Sequence, residues 1–402
     1  MAQISAFSIG KLPEIRFGSG VLSLLPDLVS RHGNRALILT GQRSFLETPQ
    51  WPKLQADLNE RRIEWTHLKV GGEPSPDEVD TWAQQFRGFG PSVVVGIGGG
   101  SVLDAAKALA GLIPIECSVM DFLEGVGPEL PFEGPALPWV AVPTTAGTGS
   151  EATKNAVLTR QGADGFKKSF RSDLLVASVA LIDPELLESC PKAQIAANGM
   201  DALTQLLESF VSLKSNPFTD ALACSGLKRV LVHLLPWYEG DARSASHMAY
   251  ASLLSGVCLA QTGLGSVHGL AQPLGSFFPI PHGVVCGTLL ASATRINVVA
   301  MRERDPLNPA LLKYAMIGRM LPGASGYDDA DAIQTLISTL ADWTHRLSIP
   351  NLAQLGVSES EIPKIIQHSR GSSMKTNPIV LRDDEINLLL QERLGPSIGY
   401  PL

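Results

Sequence analysis

The sequence lacks several features that whole classes of protein require. Cysteine is scarce: Cys117, Cys190, Cys224, Cys258 and Cys286 are scattered, odd in number and without a C-x-x-C. That argues against a disulfide framework and against a thiolate zinc site, and it sets the expectation of a reducing, cytoplasmic setting. Excess positive charge is also missing. With 32 Lys+Arg against 39 Asp+Glu, the chain carries −7, which gives no electrostatic basis for a nucleic-acid partner. The most apolar stretches are cut by Asp104, Lys107, Gly and Pro, and MAQISAFSIGKLPEIRFGSG at the start has no basic segment followed by an apolar one. Neither membrane insertion nor secretion is therefore expected. No G-x-S-x-G or H-E-x-x-H is present, so hydrolase readings have no support.

What is present is 402 residues, 45% hydrophobic and only 18% charged. This is the composition of a compact globular protein with a sizeable core, and at ~150 residues per domain it amounts to two domains or three. Residues 1–190 alternate short β-branched or aliphatic runs with helical patterns. RALILTG, PSVVVGIGGGS and PWVAVPTT read as strands, DEVDTWAQQFRGF and VLDAAKALAGLI as helices. Such alternation predicts a parallel sheet with helices on both faces, an α/β fold. Over residues 191–402 the texture becomes Ala/Leu-rich at helical spacing, as in GMDALTQLLESF and DAIQTLISTLADWTHRL, which predicts an all-helical domain. VASVALIDPELLESCP marks the boundary, and DARSASH reads as a surface loop.

Two glycine-rich segments follow strands. In Gly96-Ile-Gly-Gly-Gly-Ser101, Gly98, Gly99 and Gly100 let a phosphate approach the backbone with no Cβ in the way, and the helix that follows offers free N–H groups. Taken alone, the segment is equally a tight structural turn. Its spacing departs from the dinucleotide fingerprint, because Ser101 stands at the third glycine position. Thr144-Thr145-Ala-Gly-Thr148-Gly-Ser ends a second strand, and two such loops define the crevice where open α/β sheets bind nucleotides.

In the helical half, Asp201, Gln205 and Glu208 fall near one face of an otherwise apolar helix. They are either capping and packing groups or part of a site. His268 and Gln272 form an i, i+4 pair, and His282 follows in PIPHGVVCG. Each His alone is more often a core histidine than a ligand, but Asp201, His268 and His282 together are a sufficient set for a catalytic divalent metal with an open position.

FGSGVLSLLPDLV, GIGGGSVLDAAKALA, PTTAGTGSEAT, ALIDPELLESCP, GMDALTQLLESF, GLGSVHGLAQPLG and PIPHGVVCG follow one another over nearly the whole chain. In this series the chain resembles the iron-containing, metal-dependent alcohol dehydrogenases. The resemblance implies an N-terminal Rossmann-like dinucleotide-binding domain, an all-helical metal-bearing domain, an active site in the cleft between them, and a dimer or larger assembly. It places Gly98, Gly99, Gly100 and Ser101 on the pyrophosphate, Asp104, Thr144, Thr145 and Thr148 along the cofactor cleft, and Lys168 at the nicotinamide ribose.

The family holds its metal with one Asp and three His. Here Asp201, His268 and His282 stand in place, while the second position is Gln205, a poorer donor than imidazole for Fe²⁺ or Zn²⁺. A further family His, credited with relaying the alcohol proton, is Gln272 here, which removes a group titrating near neutrality. NAD-dependent members carry an Asp at the end of the first strand. This chain has Gly41, Gln42 and Arg43 there, which favours the 2′-phosphate of NADP over NAD.

The expected reaction is reversible hydride transfer between a nicotinamide and a small alcohol or aldehyde, assisted by the metal on Asp201, His268, His282 and Gln205. Three rivals share the architecture: a metal-free reductase resembling maleylacetate reductase, a cyclase resembling dehydroquinate synthase, and a catalytically silent binding protein. The cyclase needs a Lys/Arg cluster that the helical half lacks near Asp201, His268 and His282. Phe277 and Phe278 are candidates for an apolar substrate wall, and Lys154 and Arg171 for contacts to an anionic end.

Overall fold

The computed structural model describes residues 4–162 and 165–395. The chain divides into two compact units, Gly10–Cys190 and Pro191–Leu402, with Met1–Ile9 grouped with the latter.

The Gly10–Cys190 unit runs β1 Glu14–Phe17, α1 Leu25–Ser30, β2 Arg35–Thr40, α2 Gln50–Glu60, β3 Glu64–Lys69, α3 Pro76–Arg87, β4 Val93–Gly98, α4 Gly100–Leu112, β5 Trp139–Pro143, β6 Asn155–Arg160, β7 Phe166–Arg171 and β8 Val179–Ile182. Six strands pair in the order β1-β8-β5-β4-β2-β3, all parallel. Alternate side chains of the central strands enter two separate cores. Leu37, Leu39, Val94 and Ala141 face one; Ala36, Ile38, Val93, Val95, Val140 and Val142 face the other. Burial on both faces is why these strands read as unbroken apolar runs rather than alternating ones. Helix α3 begins where Ser75 and Glu78 form a capping box with Pro76 in the first turn, a strong local start signal. Strands β6 and β7, absent from the sequence expectation, form an antiparallel hairpin with Leu158 opposite Lys168. Their polar residues mask the strand pattern.

A buried lysine ties this unit together. Lys107, on α4, is wholly buried, and its Nζ donates to Ser150 O (3.0 Å), Ser150 Oγ (3.0 Å), Thr153 Oγ1 (2.9 Å) and Asn155 O (2.6 Å). Asp104 lies 3.6 Å away and accepts from Ser150 Oγ at 2.7 Å. Burial lowers the lysine pKa and raises that of Asp104, partly offset by their mutual attraction.

The second unit consists of α5 Lys192–Val211, α6 Pro217–Glu239, α7 Ser244–Thr262, α8 Ser266–Phe277, α9 His282–Arg304, α10 Pro309–Arg319, α11 Asp329–Arg346, α12 Ile362–His368 and α13 Asp383–Leu394, and no strand occurs among its described residues. Helix α5 packs against α6, α7 and α9 and is buried almost all round. Two sequence expectations change here. The stretch read as a loop at 241–247 is half helix, since α7 starts at Ser244. Contrary to the reading that no apolar run approaches a membrane span, α9 is long and apolar enough to cross one; 83% of its apolar window is buried inside the protein, and its hydropathy is that of a core helix.

Candidate functional site

Helix α5 carries Asp201, Gln205 and Glu208 on one face, all buried. Asp201 Oδ1 stands 3.4 Å from His268 Nε2 on α8 and 3.7 Å from His282 Nε2 at the start of α9. This oxygen is buried and accepts no aligned hydrogen bond, a costly arrangement for a carboxylate that has no further partner. Donor atoms held by one tetrahedral ion at bond lengths of ~2.0–2.2 Å lie about 3.3–3.6 Å apart, close to the two separations. The residues therefore fit a divalent ion.

Glu208 arms the arrangement. Its Oε2 accepts from His268 Nδ1 at 2.7 Å and its Oε1 from Val267 N at 2.7 Å. One proton is thereby held on Nδ1 and Nε2 is turned towards Asp201, so that Nε2 is the nitrogen an ion would take once it displaces any proton there, as carboxylates behind metal-binding histidines arrange. Close packing supports this: a Cβ on Gly265 would stand 2.8 Å from Glu208 Oε1 and 2.8 Å from Asn377 Oδ1. Burial disfavours a charged His268, but Cys286, Asp201 and Glu208 outweigh it and raise the ring's pKa well above its usual value. Burial likewise opposes ionisation of Asp201, yet His282, His268 and the Gln205 amide together hold its pKa below the ordinary one.

Gln205 and Gln272 have other engagements. The Oε1 of Gln205 accepts from Ser255 Oγ at 2.7 Å. The Oε1 of Gln272 lies against Gly371, 2.9 Å from where a Cβ would sit. The residue that sequence reasoning passed over is Cys286, fully buried, whose Sγ lies 3.8 Å from His268 Nε2 and 3.7 Å from His282 Nε2. Burial pushes this thiol up to about 12. The donor atoms of Asp201, His268, His282 and Cys286 all fall within 4.8 Å of one another. Phe277 packs edge-on to His368 and under Lys364 Nζ, which accounts for it without a substrate. Lys154 and Arg171 pair with Asp173 at 2.8 Å and Glu124 at 3.0 Å.

In the sheet unit the two glycine loops interlock. A Cβ on Gly98 would meet Val102 at 2.4 Å, so that glycine permits close strand-to-helix packing. A Cβ on Gly99 would stand 3.3 Å from Thr145, and one on Gly100 2.8 Å from Thr148. Thr144 N donates to Gly98 O at 3.0 Å. Helix α4 starts at Gly100 with Gly99 as its N-cap, so the N–H groups of Gly100 and Ser101 open the helix, where backbone donors have no intrahelical partner. Thr144 also lines a pocket with Ser44, Thr48, Gln50 and Glu185, between the loop after β2 and the turn after β8. Asp104 is joined to the second loop through its last residue, Ser150, whose Oγ donates to it, and it lies beside Lys107. Lys168 sits on β7 with Nζ 3.2 Å from the Cβ position of Gly125. Beyond β2, Gly41 has open space around it, and Arg43, 81% exposed, pairs with Glu47 at 3.0 Å.

Paired glycine loops in the sheet unit and a buried Asp/His/His cluster in the helical unit are the parts that a nicotinamide-dependent oxidoreductase with a divalent-metal site requires. Family models for iron-containing alcohol dehydrogenase and for the C-terminal part of that family match residues 13–184 and 195–394. The chain is 30% identical to an NADPH-dependent butanol dehydrogenase of Clostridium saccharobutylicum over 94% of this chain and 95% of that one. It is 30% identical to an NAD-dependent methanol dehydrogenase of Bacillus methanolicus over 81% and 83% of the two. The crystal structure of a 1,3-propanediol oxidoreductase superposes with a TM-score of 0.86 at 28% identity, covering 97% of this chain and 100% of that one. The chain belongs to the iron-containing alcohol dehydrogenase family. Its activity is accordingly that of an NAD(P)-dependent oxidoreductase acting on CH–OH groups.

Proposed function

We propose that the protein interconverts a small primary alcohol and its aldehyde, with NADPH as the preferred carrier and a divalent ion, Zn²⁺ or Fe²⁺, on Asp201, His268 and His282. The observation that carries this is the buried, unsatisfied Asp201 Oδ1 facing two imidazole nitrogens at 3.4 and 3.7 Å. When bound, the ion supplies Lewis-acid polarisation of the carbonyl and the nicotinamide supplies hydride. The chain's own residues do the rest. Asp201 supplies the negative charge of the site, and Glu208 holds His268 in one tautomer. Gly98, Gly99, Gly100 and Ser101 receive the pyrophosphate, with Thr144, Thr145 and Thr148 bordering them. Gln272 has no proton to exchange near neutrality, so the alcohol proton leaves through solvent or the ribose hydroxyls.

The preference for NADPH is supported by Gly41 and Gln42 in place of an acidic side chain and by the exposure of Arg43. The Arg43–Glu47 pair is a surface ion pair worth about 0–1 kcal/mol, which a 2′-phosphate can displace. The relatives include both an NADPH-dependent and an NAD-dependent enzyme. A homodimer and a cytoplasmic location belong to the same reading; the five free thiols suit a reducing compartment, and light scattering checks the dimer.

The test is metal content by elemental analysis on protein purified without chelator, with NADPH and NADH oxidation against short aldehydes before and after chelation. About one ion per chain and activity that chelation abolishes and metal restores are expected. Turnover in demonstrably metal-free protein would overturn the reading.

A further inference from the structure

We infer that Cys286 is the fourth protein ligand of this centre, taking the role that the missing imidazole at Gln205 leaves vacant, and that the site thereby selects Zn²⁺ over Fe²⁺. The inference rests on the metal-dependent reading above.

The geometry comes from α9. That helix begins at His282, so Cys286, four residues on, lies one turn further along the same face. Its Sγ stands 3.8 and 3.7 Å from the two Nε2 atoms. A thiolate and an imidazole on one tetrahedral ion, with bonds of ~2.3 and ~2.0–2.1 Å, are separated by about 3.5–3.6 Å, so a small adjustment brings sulfur to bonding distance. A second observation points the same way: Asp201 Oδ1, 1% exposed and lacking an aligned partner, is aimed at the same imidazole nitrogens.

Gln205 is placed differently. Its oxygen is engaged by Ser255 Oγ at 2.7 Å, and its amide supports the Asp201 carboxylate. In that orientation it positions a ligand and is not one itself. On coordination the Cys286 S–H bond breaks, sulfur keeps the electron pair and donates it to the ion, and the proton passes to solvent. A thiolate beside two imidazoles is a softer donor set than carboxylate and imidazole alone, which favours Zn²⁺.

The test uses full-length protein stripped of metal and reloaded with one ion at a time. With Co²⁺ as probe, about one ion per chain and an intense near-ultraviolet thiolate-to-cobalt band are expected; Cys286→Ser removes the band and weakens Zn²⁺ binding on the order of 100-fold or more, at or beyond the upper end of losses from second-layer changes. X-ray absorption on the zinc-loaded wild type needs no variant and should show one sulfur at ~2.3 Å. Stoichiometric binding with a first shell of nitrogen and oxygen only would overturn the inference and leave the metal-dependent reading intact. Failure to bind either ion would overturn both.

Discussion

Each unit buries a small charged cluster, and the two clusters differ in how their polar atoms are satisfied. Around Lys107 every ammonium hydrogen has a protein acceptor: four oxygens from residues 150–155 surround Nζ, and Asp104 lies beside them. Around Asp201 the arrangement is one partner short. One carboxylate oxygen is orphaned, and Glu208 holds the histidine beside it by Nδ1, with Nε2 facing the site. A buried polar cluster closed on itself is a strut; one that is pre-oriented and incomplete is a place for a ligand.

The sharpest way to break this contrast is to remove one residue from each cluster. Lys107→Met should cost about 3–5 kcal/mol of unfolding free energy by leaving buried acceptors unpaired, measured by urea denaturation. Asp201→Asn should lose less stability than that, yet lower kcat on the order of a thousandfold and abolish metal retention. A stability loss for Asp201→Asn that equals the lysine's would make it a strut too.

Next in size is Glu151, buried in the same loop region as the lysine contacts, whose pKa burial raises from 4.5 to about 7. The folded state holds this proton where the unfolded chain has released it. Stability is therefore fully present below pH 4.5, falls as pH rises towards 7 and then levels off. The change is about 3 kcal/mol. Thermal melts across this window should show the slope, and Glu151→Gln should flatten it.

Glu208→Gln should loosen metal binding by about 10–100-fold by freeing the His268 tautomer, read by chelator competition, with a smaller effect on melting temperature. The smallest effect is expected at the nucleotide end. Arg43→Ala should lower the NADPH-to-NADH ratio of kcat/KM by roughly tenfold, as loss of a charge-assisted hydrogen bond does, and change stability by under ~0.5 kcal/mol.

The parallel sheet and the helical half were legible because each has a strong hydrophobic period. The β6–β7 hairpin was not: in NAVLTR and FKKSFR only Ala156, Leu158, Thr159 and Phe170 are buried, too few to reveal strand alternation. Within the site, Asp201, His268 and His282 were readable as residue types, and the structure brings them together. The role of Glu208 was not, since a glutamate on a helix gives no sign of a histidine on another helix. Cys286 is inconspicuous because it has no C-x-x-C partner. A signal did exist: Pro281 marks a helix start, and i, i+4 spacing from His282 then places Cys286 on the ligand face.

The interlocked glycine loops have a hereditary consequence. With a Cβ at Gly100 arriving 2.8 Å from Thr148 Cγ2, alanine at position 100 is admissible only beside a smaller neighbour, such as serine at 148. The two segments, nearly fifty positions apart in the chain, should therefore drift as a pair across lineages. A library randomising both positions together should recover alanine at 100 only where 148 carries a smaller side chain, with the change at 148 coming first.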